Sequence, residues 1–192
     1  VQVQDFSRGI PVFRVPVAVA IVTAAGKSTR TVWVRDREET FEFPSQTRPL
    51  LVRFDEGNIL IKEMTFPKEH VELLYQLAHD DVIGRMSAAA ELLRFKDDPK
   101  SFDALAVSAQ GDPFWAVRRG AVEALARFAE PRRAALLTKT ALDRHASVRT
   151  ASLVALGDLK DRGLVDFFKE RFAKDGSDAV RAEALRAIGK AG

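Results

Sequence analysis

The side chains that could carry catalysis are few, and their spacing does not suit it. A zinc peptidase helix needs two histidines one turn apart with a glutamate between them. The chain has three histidines, His70, His79 and His145, and the closest two are nine residues apart. It has no cysteine, so thiol catalysis and disulfides are excluded. The sequence therefore predicts no catalytic residue and no metal ligand.

One segment resembles the end of a phosphate-binding loop. Residues 24–29 read "AAGKST", but the first glycine of the P-loop pattern is missing and the segment lies between two predicted strands. The nucleophile pattern G-x-S-x-G and the dinucleotide pattern G-x-G-x-x-G do not occur. We interpret residues 24–29 as a hairpin turn.

The strongest pattern in the chain is a repeat. Residues 148–157, "VRTASLVALG", return as "VRAEALRAIG" at 180–189. The same motif arginine recurs every 31 to 33 residues, at Arg85, Arg118, Arg149 and Arg181. A small residue follows each by three places and a Leu or Ile by seven, on one helical face. The small residues are Ala88, Ala121, Ser152 and Ala184, and the large ones are Leu92, Leu125, Leu156 and Ile188. This period predicts an α-solenoid of helix pairs.

The motif arginines have two interpretations. Asp81, Asp112 and Asp178 lie shortly before Arg85, Arg118 and Arg181, where a carboxylate can cap a helix and pair with the arginine. We favour such a structural ladder over ligand binding. The third repeat has Arg144 and His145 in place of the acid, which argues against a ladder there.

The elements around the repeat fall into two halves. From residue 12 to 64 the apolar pattern has period two, with turn signals between short runs, which predicts strands and a β-sandwich domain over residues 1–66. The strands are predicted at 1–5, 12–22, 29–35, 39–44, 50–55 and 58–64. Pro16 indicates an edge position or a bulge in the second strand.

From Pro67 onward the pattern has the helical period, which predicts a HEAT-like α-solenoid domain over residues 67–192. The four predicted helix pairs are 67–79 with 82–95, 99–109 with 113–128, 131–142 with 146–157, and 161–173 with 178–189. The fold class is therefore a β-sandwich followed by an all-α solenoid.

Charge and hydropathy bear on the partners. The net charge is only +3, and acidic residues are interspersed with the basic ones throughout the chain. A phosphate-tracking stripe is absent from the sequence, so we expect no nucleic-acid partner. No apolar run approaches the ~20 residues that span a bilayer, and we expect no membrane partner. The chain lacks an initiating Met, and the alternation of its first residues predicts a start inside a strand, so we expect a fragment.

The order of the two halves resembles the C-terminal region of the M1 family of zinc aminopeptidases, the gluzincins. The similar segments are "FRVPVAVAIV" at 13–22, "TVWV" around Trp33, "ETFEFP" before Pro44 and "RPLLVRFDEGNILI" at 48–61. The family's zinc-binding helix and its G-x-M-E-N motif have no match. The resemblance implies a non-catalytic fragment that packs on the parent's catalytic domain, shapes the peptide cleft and meets peptide substrate only indirectly. Zinc would belong to the absent catalytic domain, and this chain would need no cofactor.

Two other functions stay open. A free-standing HEAT-repeat scaffold would bind proteins on its concave surface, and a nucleic-acid-binding HEAT protein would carry a basic groove. The even charge distribution disfavours the groove, whereas the predicted sandwich and the apparent start inside a strand disfavour the adaptor.

One surface is the candidate site. Positions one, five and nine after each motif arginine share an exposed helical face. From these rows we select Arg119, Glu123, Arg127 and Arg186 as residues that could face a partner or a peptide, against the alternative that they are merely solvated. Phe114 and Trp115, at a predicted helix start, are interpreted as core packing, with a binding anchor as the alternative.

Overall fold

The computed structural model describes residues 11–192 of the chain. They divide into two compact units, the first ending at Glu72 and the second comprising Leu73–Gly192. The predicted strand at 1–5 lies outside the described residues. Across residues 11–192, no helix is long and apolar enough to cross a membrane.

The first unit contains one antiparallel sheet of three strands in the order β2-β1-β3. The strands are β1 (Val15–Thr23), β2 (Gly26–Val34) and β3 (Leu51–Phe54). Ala24 and Ala25 form the two-residue turn between β1 and β2, so the segment that resembles a P-loop is a hairpin turn. Gly26 has a φ of 131°, which side chains other than hydrogen rarely allow.

The predicted β-sandwich is wrong for the described residues, which form a single sheet. The segment 58–64 has a strand-like pattern, but it is not a strand. Its first backbone N–H groups, those of Ile59 and Leu60, donate to the Asp55 carboxylate at 3.2 and 3.0 Å. Asp55 and Asn58 also have positive φ, so the chain turns sharply there. Side-chain hydrogen bonds have thus taken donors that a second sheet would need.

The predicted strand at 39–44 is also absent. Glu39 accepts a hydrogen bond from the backbone N–H of Arg35 at 2.9 Å, which closes a local turn. Pro16 lies on the central strand β1, contrary to the predicted edge position. It is tolerated because β3 pairs only with Val19–Val22, which leaves that side of β1 open at Pro16.

Eight α-helices follow within the described residues. They are α1 (His70–His79), α2 (Val82–Glu91), α3 (Pro99–Gly111), α4 (Trp115–Leu125), α5 (Arg133–Thr140), α6 (Ala146–Gly157), α7 (Val165–Lys174) and α8 (Asp178–Ala191). Short 3₁₀ segments occupy Leu92–Phe95 and Arg162–Leu164. Side-chain caps begin several helices, as when the Asp81 carboxylate accepts from the Gly84 N–H at 2.7 Å. The first helix begins at His70, so Pro67 is not in its first turn.

The small and large residues of the repeat form the core of the second unit. Ala121 and Ser152 are fully buried, and so are Leu125 and Leu156. The buried Ser152 hydroxyl bonds the Val148 carbonyl at 2.9 Å and the Thr140 hydroxyl at 2.8 Å, so its polarity is satisfied. The repeat motif is therefore a packing motif, as its spacing predicts.

The helices α2, α4, α6 and α8, called here the second helices, pack side by side in chain order. The helices α3, α5 and α7 each pack on the second helix that follows them, but α3 and α5 touch each other only slightly. The second helices thus form one continuous layer of this unit.

Replacing Ala121 by Leu should lower the free energy of unfolding by about 1–3 kcal/mol, because the fully buried position has no room for three more carbons. Ala135→Leu on the exposed side of α5 is the matched control and should change stability little. Chemical unfolding followed by circular dichroism measures both. Equal stabilities of the two variants would show that the packing face is assigned wrongly.

Candidate protein-interaction surface

Three motif arginines connect consecutive repeats. Each donates its Nε and Nη2 to both carboxylate oxygens of an aspartate in the next repeat. We call these pairs the inter-repeat ladder: Arg85 with Asp112, Arg118 with Asp143, and Arg149 with Asp175. The six hydrogen bonds measure 2.7 to 3.1 Å. This fork geometry is the one that guanidinium and carboxylate favour.

Each ladder aspartate also organises its own repeat. In the case of Asp143, Oδ1 accepts from the His145 backbone N–H at 2.7 Å at the start of α6. The backbone carbonyl of Asp143 accepts from Nη1 of Arg149 at 2.9 Å. The residue therefore joins the arginine of the preceding repeat to the arginine of its own. Asp112 and Asp175 make the same set of bonds.

The ladder is largely shielded from water, and its charges stabilise one another. The side chains of Arg118 and Asp143 are only 3% and 9% exposed. Burial acts to raise the pKa of Asp143, but the hydrogen bonds from Arg118 and the His145 N–H outweigh it, so the pKa lies below its ordinary value. The bond from Arg149 lowers the pKa of Asp175, against the opposing effect of burial. Both carboxylates are thus held ionised.

Of the three aspartates that the sequence places in a ladder, only one belongs to the inter-repeat ladder. Asp112 is in the ladder, but its arginine partner is Arg85 of the preceding repeat rather than Arg118. Asp81 caps α2 instead, and Asp178 pairs with Arg181 within α8. The third repeat has its acid, Asp143, which the sequence reasoning missed. The sequence does contain a spacing that identifies the ladder aspartates, because a motif arginine follows each of them by six residues. They are Asp112, Asp143 and Asp175.

The exposed side of the second helices is the candidate surface, and we call it the second-helix face. It comprises the positions one, five and nine after each motif arginine. These are Met86, Ala90 and Arg94 on and after α2, Arg119, Glu123 and Arg127 on and after α4, Thr150, Val154 and Asp158 on and after α6, and Ala182, Arg186 and Lys190 on α8. All but the half-buried Thr150 are exposed.

Most of the basic residues on this face have local acidic partners. Arg119 donates from Nε to Glu123 at 2.7 Å, and Arg186 pairs with the buried Glu183 at 2.9 Å. Lys190 reaches across to Asp158 of the preceding repeat at 2.8 Å, and Arg94 lies 3.5 Å from Glu91. These pairs compensate the basic residues of the face other than Arg127, and exposed pairs contribute little to stability.

Apolar and small side chains are also exposed on this face, on α2, α6 and α8. Met86 and Val154 are each 38% exposed, and Ala90 and Ala182 are also exposed. On α4, between α2 and α6, the face carries the charged residues Arg119, Glu123 and Arg127. The face therefore mixes apolar and charged side chains, as many protein-binding surfaces do.

An aromatic stack borders this face. Trp115, one turn before Arg119, stacks on His145 at the start of α6, with ring centroids 4.3 Å apart and planes 8° from parallel. Phe114 lies beside Trp115 and is 39% exposed. Trp115 is one of the apolar residues that pack against the core cluster. Trp115 thus packs as the sequence predicts, whereas Phe114 is open to solvent.

Arg127 lies at the opposite end of α4, beside a shallow cavity of about 310 Å³. The lining combines charged residues with two rings: Lys96, Asp97, Pro99, Phe102, Arg127, Phe128, Ala129 and Glu130. The described part of the chain holds no group of three or more histidine, aspartate or glutamate side chains that could bind a metal ion.

Comparison with known proteins gives the class of fold. Residues 70–157 match the family model of HEAT repeats. The match covers α1 to α6 and so includes three of the four motif arginines. The second unit is a HEAT-like stack of helix pairs, and the described chain as a whole is mostly helical.

A solved structure gives a more particular likeness. The chain is 26% identical to a chain in the structure of the complex of CpcE and CpcF of phycocyanin lyase from Nostoc sp. PCC7120. The match has a TM-score of 0.53 and covers 60% of this chain and 78% of that chain. No curated protein matches the sequence. The protein thus resembles a subunit of a two-protein lyase complex.

These findings overturn the resemblance to M1 zinc aminopeptidases. The matches are to HEAT repeats and to a phycocyanin lyase structure, and they give no support for a peptidase origin. The error arose because strand alternation and short apolar runs are common to many β-segments, and residues 11–192 do not form the sandwich on which the comparison depended. The peptidase domain and the peptide substrate are therefore withdrawn as partners.

The ladder predicts an acid-sensitive second unit. The pKa values of Asp143 and Asp175 are lowered by folding, so the unfolded chain takes up protons first as the pH falls. The ladder's contribution is complete above the ordinary aspartate pKa of about 4 and is lost as the pH falls through the lowered values. We expect the free energy of unfolding to decline steeply below about pH 4.

Asp143→Asn tests the source of this decline. The variant should lose about 3–5 kcal/mol at neutral pH, because Arg118 is left buried without its carboxylate, and its stability should fall less steeply in acid. Asp178→Asn, which removes an exposed carboxylate next to Arg181, is the control and should cost about 1 kcal/mol or less. Similar losses in the two variants would contradict the structural importance of the ladder.

Proposed function

We propose that the protein is a HEAT-repeat scaffold that binds a partner protein on its second-helix face. The observation that carries the proposal is the set of small and apolar residues exposed among charged ones on this face, namely Met86, Ala90, Val154 and Ala182. The ladder holds these residues on helices of fixed spacing. A rigid surface of this kind loses little conformational freedom when it binds.

The likeness to a lyase complex supports a protein partner. The similar chain comes from a structure in which two proteins, CpcE and CpcF, are bound to each other. HEAT-type stacks in general present extended concave surfaces to other proteins. We therefore propose that this chain, too, works as one component of an assembly.

The balance of charge on the face disfavours a nucleic-acid partner. A groove that follows phosphates needs uncompensated lysines and arginines. On this face Arg119 pairs with Glu123, and Lys190 pairs with Asp158. Exposed methyl and methylene groups at Met86 and Val154 also suit a protein surface better than a phosphate backbone.

We further propose that this chain acts by binding rather than by catalysis and that it needs no cofactor. The sequence supplies neither a histidine pair for zinc nor a nucleophile motif. The three carboxylates of the inter-repeat ladder are each paired with an arginine. This role is compatible with a partner that carries the chemistry of a larger assembly.

Site-specific photocrosslinking tests where the partner binds. A photoreactive amino acid at Val154, on the face, should form an adduct with one protein in cells that contain its partners, whereas the same group at Val107 on α3 should not. Val107 is the matched control because it is 73% exposed but lies on a first helix. Val154→Asp should then weaken binding of the purified partner at least about tenfold, and Val107→Asp should not, since a buried charge costs far more than an exposed one. Equal crosslinking or equal weakening at both positions would exclude the second-helix face.

Metal analysis tests the absence of zinc chemistry. The purified chain should contain no stoichiometric zinc after dialysis and should not hydrolyse aminoacyl peptides, because ligands with the required spacing do not occur. Elemental analysis and a peptide-hydrolysis assay with and without chelator measure this. One tightly held zinc per chain with chelator-sensitive hydrolysis would refute the proposal of a non-catalytic role.

A further inference from the structure

Two neighbouring loops of the second unit place an aromatic cluster at the starts of α4 and α6. Trp115 stacks on His145, with ring centroids 4.3 Å apart, and the Phe114 ring lies 5.9 Å from that of Trp115. Arg144, next to His145, donates from Nη2 to the Pro113 carbonyl at 3.2 Å, directly before Phe114 in the chain. We call Phe114, Trp115, Arg144 and His145 the loop cluster.

Phe114 occupies a position whose usual structural role it does not perform. The corresponding residues are Asp81 at the start of α2 and His145 at the start of α6, and each side chain accepts a backbone hydrogen bond there. The Phe114 side chain makes no capping bond, and a phenyl ring is not among the groups that stabilise a helix start. Because the ring is exposed as well, neither capping nor core packing explains a phenylalanine here.

Three members of the loop cluster carry N–H groups that have no partner among residues 11–192. Nδ1 of His145 accepts from the Ser147 N–H at 3.3 Å, so the hydrogen of the neutral ring is on Nε2, which makes no further bond. The indole N–H of Trp115 makes none either. Neither nitrogen is among the buried polar atoms that lack a partner, so water reaches both. Arg144 uses only Nη2, which leaves other guanidinium N–H groups free.

The acidic side chains of the same two loops do not compensate the charge of Arg144. Asp112 forms its fork with Arg85, and Asp143 forms its fork with Arg118. Arg144 itself makes no ion pair within the described part of the chain. The loop cluster therefore combines one uncompensated positive charge with several hydrogen-bond donors, and it offers no free side-chain acceptor.

We propose that the loop cluster binds an acidic segment of the partner protein, in which a carboxylate side chain lies beside an apolar one. The carboxylate, which only accepts hydrogen bonds when it is ionised, pairs with Arg144. A backbone carbonyl of the segment accepts from the Trp115 indole N–H, and the apolar side chain packs on the exposed Phe114 ring. The inference rests on the proposed function and adds the chemistry that the partner must supply.

A single-stranded nucleic acid is the alternative occupant, because it also combines anionic groups with apolar rings. Its binding sites follow the backbone with a row of uncompensated cations. On the adjoining second-helix face, however, Arg119 is paired with Glu123 and Lys190 with Asp158. One free guanidinium in the loop cluster matches a single carboxylate better than a run of phosphates.

A peptide titration of the isotope-labelled full chain, followed by NMR, tests this site. The probe is a pentapeptide with blocked ends and a glutamate between two leucines. It should shift the indole N–H signal of Trp115 with a Kd on the order of 1 mM and leave that of Trp33 in place. Trp33 is the internal control, because it is exposed and has a guanidinium, that of Arg14, 5.3 Å from its ring centroid.

Matched variants and probes identify the groups that bind. Arg144→Gln, or glutamine for glutamate in the peptide, should weaken binding about fivefold, the equivalent of one exposed ion pair. Arg162→Gln, at another exposed arginine, should leave it unchanged, and circular dichroism checks that both variants are folded. No shift at about 10 mM peptide, tenfold above the expected Kd, would overturn the proposal. So would equal binding of the glutamine peptide, or tighter binding of oligothymidylate. Crosslinking from Val154 does not use this contact, so failure here is distinct from failure of the second-helix face.

Discussion

The fork between a motif arginine and an aspartate of the next repeat is the interaction on which the second unit depends. One aspartate must accept the arginine of the preceding repeat, hold the start of its own second helix and present its carbonyl to its own arginine. Asp143 does all three. These bonds fix the distance and angle between neighbouring repeats more tightly than apolar packing alone, because fork pairing is directional and most of its atoms are shielded from water.

A fixed spacing between repeats has consequences for the surface. The second helices pack closely where small residues meet, as at Gly157 of α6, where an added methyl carbon would lie 3.1 Å from the Ala187 Cβ of α8, and the second-helix face is their exposed side. Exposed side chains at equivalent positions of successive second helices then form rows, and these rows are ordered before any partner binds. A surface prepared in this way binds without first being organised.

The sequence predicted the second unit well and the first unit poorly, for different physical reasons. Helical period, small residues and caps are local signals, so Ala121, Leu125 and the bounds of α6 followed from the residue pattern. Alternation at 58–64 is equally local, but a strand also needs a partner, and the Asp55 carboxylate takes the backbone donors first. The ladder pairs residues 25 to 27 positions apart, so the nearest acid was the wrong choice. The peptidase resemblance rested on strand patterns without specificity.

Native-state hydrogen exchange in the Asp143→Ala variant tests most directly whether the ladder joins the repeats into one cooperative unit. In the parent chain, the protected amides of α4 and α6 should exchange through a common opening, because each repeat is held by the next. In the variant, α6 and α8 should open at a lower free energy than α4, which keeps its ladder to Arg85 through Asp112. If α4, α6 and α8 still exchange together in the variant, with unchanged protection, the ladder does not hold the stack and the account is wrong.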